Sequence, residues 1–217
     1  MDVAVIWNNL PYLAMGLAVT LQTAALVIVA GSVFGLALGL LRSVGPRPLR
    51  VAAMLYIEFI RGTPLLVVLF IIYFAVPALI GFRFTAYTAA VIGFVAFIGA
   101  YIAEDCRSGL ASVPKGQAEA GLASGLTRGQ VMRLIILPQA IRRMLPALFG
   151  QFVRLVKFTS VASVIGVTEL TGAALTVNAR EFRPLEIIIF LGFAYFVLCL
   201  LLSQLGRWLN RRYAIPQ

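Results

Sequence analysis

The sequence predicts an all-α membrane protein with five transmembrane helices, and three observations carry that prediction. Of 217 residues, 61% are hydrophobic and only 12% charged, whereas a soluble domain carries about a quarter of its residues as charges. Apolar runs long enough to cross a hydrocarbon core of about 30 Å, which takes roughly 20 helical residues, recur along the whole chain. Backbone polar groups in lipid must be satisfied within each segment, and nothing in the sequence resembles the alternating strands of a barrel.

The first span, about residues 12–41, carries Gly31, Gly35 and Gly39 at four-residue intervals. Such a ridge of small residues lets a second helix approach closely. Asp2 precedes it without any Lys or Arg, so the positive n-region of a cleavable signal peptide is missing and the span is expected to be retained. The second span, about 51–79, is interrupted by Glu58, Arg61, Gly62 and Pro64 and cannot be a uniform lipid-facing rod. The third, about 85–103, is clean and aromatic and ends at Glu104 and Asp105. The fourth, about 144–166, is the least lipid-like because it contains Gln151, Arg154 and Lys157. The fifth, about 185–205, is the most apolar and precedes Arg207, Arg211 and Arg212. The chain is read as one transmembrane domain, residues 1–217.

A net charge of +10 would suggest nucleic acid in a soluble protein. Here the bases punctuate apolar runs instead of clustering with aromatics, so no nucleic-acid partner is expected. Cytoplasmic loops retain Lys and Arg. Placing the amino terminus outside puts Arg42, Arg47, Arg50, Arg107, Lys115, Arg128, Arg133, Arg142, Arg143 and the three tail arginines inside, and leaves only Arg83, Arg180 and Arg183 outside. The expected orientation is amino terminus out, carboxy terminus in. Histidine is absent, and Cys106 and Cys199 lack metal-like spacing, so neither a disulfide framework, a metal site nor His-based catalysis is supported.

The long inner loop, about 107–143, is punctuated for two short helices. Pro114 suits a first helical turn and Gly125 the left-handed residue just past a helix end. Thr127 followed by Gln130 is a capping-box pattern, so a second helix is expected to start there and to end where Pro138 disfavours its continuation. The first of the two exposes Ala118, Ala120 and Ala123 beside Glu119, a small-residue surface able to sit deeply in another protein's groove. The competing reading is a loop lying against its own bundle.

Within this loop Glu119-Ala120-Gly121, three residues, Gly125, nine residues, Ile135, one residue, Leu137 and Pro138 resemble the signature loop of permease subunits in ATP-binding-cassette (ABC) importers. Gly121 is the one departure, where the family more often has alanine. Glu58 to Leu66 (EFIRGTPLL), Gly99 to Glu104 (GAYIAE), Pro114 to Gln117 (PKGQ), Leu137 to Ala140 (LPQA) and Ser163 to Leu170 (SVIGVTEL) extend the similarity to the polar amino acid uptake branch. The resemblance covers nearly the whole chain.

It implies a type I importer fold in the bacterial inner membrane. A second permease subunit, identical or homologous, shares the cavity, an extracytoplasmic binding protein delivers a polar or charged amino acid, and two ATPase subunits holding ATP and Mg work inside. The coupling set it implies is Glu119, Ala120, Gly121, Gly125, Leu137 and Pro138. The chain has no phosphate-binding glycine loop of its own, so it is read as a non-catalytic subunit without a cofactor.

Ionisable groups at membrane depth face water or protein. Gln151, Arg154 and Lys157 recur every three residues within an arc of about 120°, on one helical face. For a zwitterionic amino acid, Arg154 or Lys157 offers donors to the carboxylate and Glu58 an acceptor to the ammonium, with Arg61, Thr63, Thr159 and Ser160 completing the candidate path. The alternative stays open: Glu58 and Arg61 pair across the break, and Arg154 and Lys157 meet acids of the partner permease. Phe158 stands where the family frequently has Asp or Asn. Thr168, Glu169, Asn178, Arg180, Glu181 and Arg183 are candidates for contact with the binding protein, or simply a solvated loop. Competing functions are a permease for another small solute, an ion-driven secondary transporter and an intramembrane enzyme. The last two are disfavoured by the lack of inverted repeats and of a nucleophile with its base.

Overall fold

A computed structural model describes residues 4–213, with side chains through residue 210. Asp2 and the side chains of Arg211 and Arg212 lie outside the described residues. Every described element is helical: α1 (Ala4–Asn8), α2 (Leu10–Val44), α3 (Arg47–Gly62), α4 (Leu65–Phe70), a π segment (Ile71–Ala75), α5 (Val76–Ile80), α6 (Ala86–Ala111), α7 (Lys115–Ala123), α8 (Arg128–Val131), a second π segment (Met132–Ile136), α9 (Leu137–Phe158), a 3-10 segment (Thr159–Ile165), α10 (Leu170–Glu181) and α11 (Pro184–Tyr213).

Four helical stretches are long and apolar enough to cross a membrane, and a fifth crossing is available if α3 and the helix after it count as one broken span. The organising contact is between α2 and α6. Gly31, Gly35 and Gly39 of the first span all face α6. A Cβ on Gly31 would stand 2.5 Å from Ile98 Cγ2, one on Gly35 2.6 Å from the Gly99 carbonyl oxygen, and one on Gly39 2.7 Å from Cys106 Cβ. Only hydrogen fits at these positions, so the two backbones pack at the close range the ridge predicted. Ile98, Ile102, Phe94, Val68, Leu69 and Leu155 fill the core around this crossing.

The second expected span is two helices bent by 112° between Gly62 and Leu65. Pro64 forces the preceding residue out of helical conformation, and Thr63 is extended at φ −101°, ψ 133°. The Thr63 hydroxyl donates to the Phe59 carbonyl at 2.7 Å, filling an acceptor that the break would orphan.

Pro138, by contrast, does not end its helix, which corrects the expectation from the sequence. Helix continues from Arg128 to Ile165, because the π turn at Met132–Ile136 widens the backbone just before the proline. The Leu137 amide reaches back five residues to the Met132 carbonyl, and the carbonyl that the pyrrolidine ring would strike is displaced. The same device precedes Pro77, where the Val76 amide bonds the Ile71 carbonyl. The inner loop therefore holds little irregular chain: α6 runs on to Ala111, and α9 is already under way at Leu137.

A second correction concerns the connection after the fourth span, which is the helix α10 and not a loop. Glu169, expected at the surface, is 1% exposed. Its carboxylate caps α10 by accepting from the Thr171 and Gly172 amides at 3.0 and 2.9 Å. It also accepts from the Tyr195 hydroxyl of α11 at 2.9 Å and the Thr20 hydroxyl of α2 at 3.3 Å. Four donors satisfy the buried charge and tie three helices together. Of its neighbours, Arg180 stacks on Tyr12 at 5.8 Å and Glu181 accepts from Asn9 at 3.3 Å, while Thr168 and Arg183 are exposed.

Candidate functional site

Two assemblies stand out, and α6 and α9 carry both. The first is a charged cluster. Glu104 of α6 lies 2.8 Å from Arg42 of α2 and 3.5 Å from Arg61 of α3, and pairs within its own helix with Arg107. Glu58 of α3 meets the same Arg42 at 3.3 Å but Arg61 only at 4.0 Å. One carboxylate thus engages three guanidiniums while Glu58, with 56% of its side chain exposed, is held loosely. The expected Glu58–Arg61 pair exists as the weakest edge of this network. Arg61 and Arg154 both lie over the Tyr101 ring, at 5.6 and 5.5 Å from its centroid, and Gln151 donates to Asp105 at 2.9 Å. Tyr101 brings together two arginines that the sequence places 93 positions apart.

Arg154 makes no ion pair among the described residues, and Arg154 and Lys157 are exposed while Gln151 is buried. Guanidinium and ammonium groups cannot be left facing acyl chains at no cost, so this surface meets water or another protein. The cluster can therefore offer a cation at Arg154 and a carboxylate at Glu58, the two complements of a zwitterion. Thr63, Thr159 and Ser160 spend their hydroxyls on their own backbones, bonding the carbonyls of Phe59, Val156 and Lys157 at 2.7, 2.8 and 2.7 Å. Phe158 turns inward to meet Phe97 edge-on at 5.7 Å.

The second assembly is the helical hairpin between α6 and α9. Gly125 sits at φ +84°. Its amide bonds the Leu122 carbonyl and the Leu126 amide the Gly121 carbonyl, at 3.0 and 3.2 Å, which is the double closure of a Schellman turn. Thr127 and Gln130 close the capping box, the Thr127 amide reaching Gln130 Oε1 at 2.8 Å and the Gln130 amide reaching Thr127 Oγ1 at 3.3 Å. Glu119, Ala120 and Ala123 are exposed. Gly121 faces the other way: a Cβ there would stand 2.7 Å from Ile135 Cδ1 and 2.9 Å from Val131 Cγ2. The small residue therefore serves packing inside the hairpin. Leu137 is half-buried and Pro138 exposed, at the joint where the hairpin meets α9. Gln139 donates to Gln117 at 3.2 Å, and Arg143 donates to the Ser112 carbonyl, bracing the hairpin at its base.

Sequence reasoning missed the centre of the cluster. Arg42 reads as one more loop base and Glu104 as the end of a span, yet Glu104 followed by Arg107 at i+3 after an apolar run was an available signal for a charge anchored at membrane depth.

The molecule is thus a bundle of membrane-crossing helices with a part-buried ion network and a capped helical hairpin, and the comparisons supply its class. Residues 31–215 match the family of binding-protein-dependent transport system inner membrane components. This chain belongs to that family: it is the permease of an ABC importer in the inner membrane, a non-catalytic subunit that works with a separate ATPase and a binding protein. It is 42% identical to the Glutamine transport system permease protein GlnP of Escherichia coli strain K12, over 99% of this chain and 98% of the relative. It is 39% identical to the L-cystine transport system permease protein TcyB of Bacillus subtilis strain 168, over 93% and 86%. A solved chain from an amino acid ABC transporter with histidines superposes with a TM-score of 0.93 at 36% identity, covering 98% of this chain and 99% of that one. The type I importer fold is thereby established.

Proposed function

We propose that this chain, as a single transmembrane domain, passes a polar or charged amino acid across the membrane and couples to ATP hydrolysis through residues 115–138. The observation that carries this reading is that α6 and α9 bear both assemblies. Tyr101, Glu104 and Asp105 lie on α6 and Gln151, Arg154 and Lys157 on α9, while the hairpin hangs between the ends of the same two helices. A push on the hairpin therefore reaches the cluster through two continuous rods.

In this reading Glu119, Ala120 and Ala123 meet a cleft of the ATPase, Gly121 and Gly125 hold the lever's shape, and Leu137 and Pro138 form its joint. Glu58, Arg61, Gln151, Arg154 and Lys157 line the path, with Thr63, Thr159 and Ser160 contributing backbone geometry. A second permease covers the exposed face of Arg154 and Lys157, two ATPase subunits bind ATP and Mg, and a binding protein docks near Thr168 and Arg183. Relatives named for glutamine and L-cystine transport support an amino acid as cargo. The count of twelve bases against three in the connections supports an outer amino terminus and an inner carboxy terminus.

The test is ATP-dependent amino acid uptake into vesicles holding permease, ATPase and binding protein. Arg154→Ala and Glu58→Ala should each lower uptake about tenfold or more, the loss of one charged hydrogen bond, with assembly intact. Wild-type uptake by both variants would reject the cluster as the path, whereas lost assembly would assign these charges to the partner permease.

A further inference from the structure

A groove between α9 and α11 is lined by none of the residues assigned above to transport. It encloses about 340 Å³, with Pro146, Gly150 and Val153 on one wall and Leu202, Arg207 and Asn210 on the other. Two glycines hollow it. A Cβ on Gly150 would meet nothing within 4 Å, and one on Gly206 would stand 3.2 Å from Phe149 Cβ, so the ring seats against bare backbone.

The groove has a polar end and an apolar end. Trp208 is 55% exposed, and tryptophan at a helix end marks the headgroup level. Arg207 and Asn210 lie within one turn of it, whereas Leu202 is about 9 Å deeper at 1.5 Å per residue. Among the described residues Arg207 makes no ion pair, and the buried Asn210 Oδ1 has no donor. Arg142 precedes Pro146 by one turn of α9. An unpaired guanidinium, a buried acceptor and an apolar trough call for an anion, a hydroxyl donor and a hydrocarbon chain. A second copy of this chain, packed symmetrically, would bring its own arginines against these.

We infer that the groove binds one anionic, hydroxyl-bearing phospholipid of the phosphatidylglycerol type. Its phosphate rests on Arg207, its glycerol hydroxyl donates to Asn210 Oδ1, and one acyl chain runs past Leu202 towards Val153. Only the assignment to the cytoplasmic leaflet rests on the proposed orientation.

The test uses the purified permease–ATPase complex in phosphatidylcholine nanodiscs, doped with phosphatidylglycerol or phosphatidylcholine bearing a diazirine on the acyl chain, with adducts mapped to peptides. Both leaflets carry the probe, so the outcome is independent of orientation and of transport. The groove peptides of α9 and α11 should label about fivefold more with the phosphatidylglycerol probe, the attraction of one interfacial arginine. Arg207→Gln should bring the ratio near one, Arg207→Lys should preserve it, and Gly150→Leu should abolish groove labelling by both probes. Equal labelling of the wild type, or a ratio unmoved by Arg207→Gln, would overturn the site. So would disulfide-linked permease dimers through Ser203→Cys, which would make a second copy the occupant.

Discussion

Gly125 offers a perturbation whose size follows from backbone geometry alone. At φ +84° it lies in the left-handed region, and a Cβ there would meet nothing within 4 Å. Substitution therefore strains the turn without creating a clash. A side chain in this conformation costs about 1–2 kcal/mol, asparagine less, and a β-branched residue more. The strain is local, because the two bonds that close the turn, Gly125 to Leu122 and Leu126 to Gly121, belong to the hairpin and to no membrane-crossing contact. An open turn should become about 5–30 times more populated in Gly125→Ala. Amide exchange over residues 115–131 should rise by the same factor, with Asn below Ala and Val above it, while the α2–α6 crossing stays protected. Stimulation of ATP hydrolysis by liganded binding protein should fall in the same order in nanodiscs, with assembly retained. Wild-type stimulation in Gly125→Val, alongside the expected rise in exchange, would refute the claim that hairpin rigidity matters for coupling.

Gly35→Ala should lower thermal stability by about 1–3 kcal/mol, since its Cβ meets the Gly99 carbonyl oxygen at 2.6 Å and Ile102 Cβ at 2.7 Å, neither of which is a flexible end; Gly192→Ala in open space should be neutral or slightly stabilising, as read by thermal unfolding in detergent. Glu104→Gln should cost about 1–3 kcal/mol by leaving Arg42 and Arg61 short of a carboxylate, and should depress uptake; unchanged unfolding temperature and uptake would remove Glu104 from the centre of the network. Glu169→Ala should destabilise by about 2–4 kcal/mol through the lost cap and the lost acceptor shared by the Tyr195 and Thr20 hydroxyls, a loss visible in thermal unfolding before any binding protein is added.

Much of this architecture is legible in the sequence because lipid makes the rules strict. Apolar run length picks out where the long apolar helices lie, though not their bounds, and the glycine ridge at 31, 35 and 39 announces the α2–α6 crossing. The hairpin turn is spelled out by Gly125, Thr127 and Gln130, each of which has one favoured backbone role. What the sequence leaves hidden depends on the third dimension. Pro138 reads as a helix stop because nothing in a linear pattern signals the π turn that accommodates it. Glu169 reads as a surface charge because its four donors come from three elements, one of them Thr20, nearly 150 positions away. The ion network escapes because Arg42 and Glu104 each look like the end of a span, and only the packing of α2 on α6 sets them 2.8 Å apart.

The central claim, that residues 115–138 engage the ATPase, is tested most directly by a cross-link. Ala120→Cys in a Cys106→Ala, Cys199→Ala background, alkylated with a thiol-reactive benzophenone and irradiated in the assembled complex, should yield a permease–ATPase adduct. Ala78→Cys, at the far end of the fold, should yield none. An absent adduct from Ala120→Cys, or equal adducts from both positions, would contradict the account.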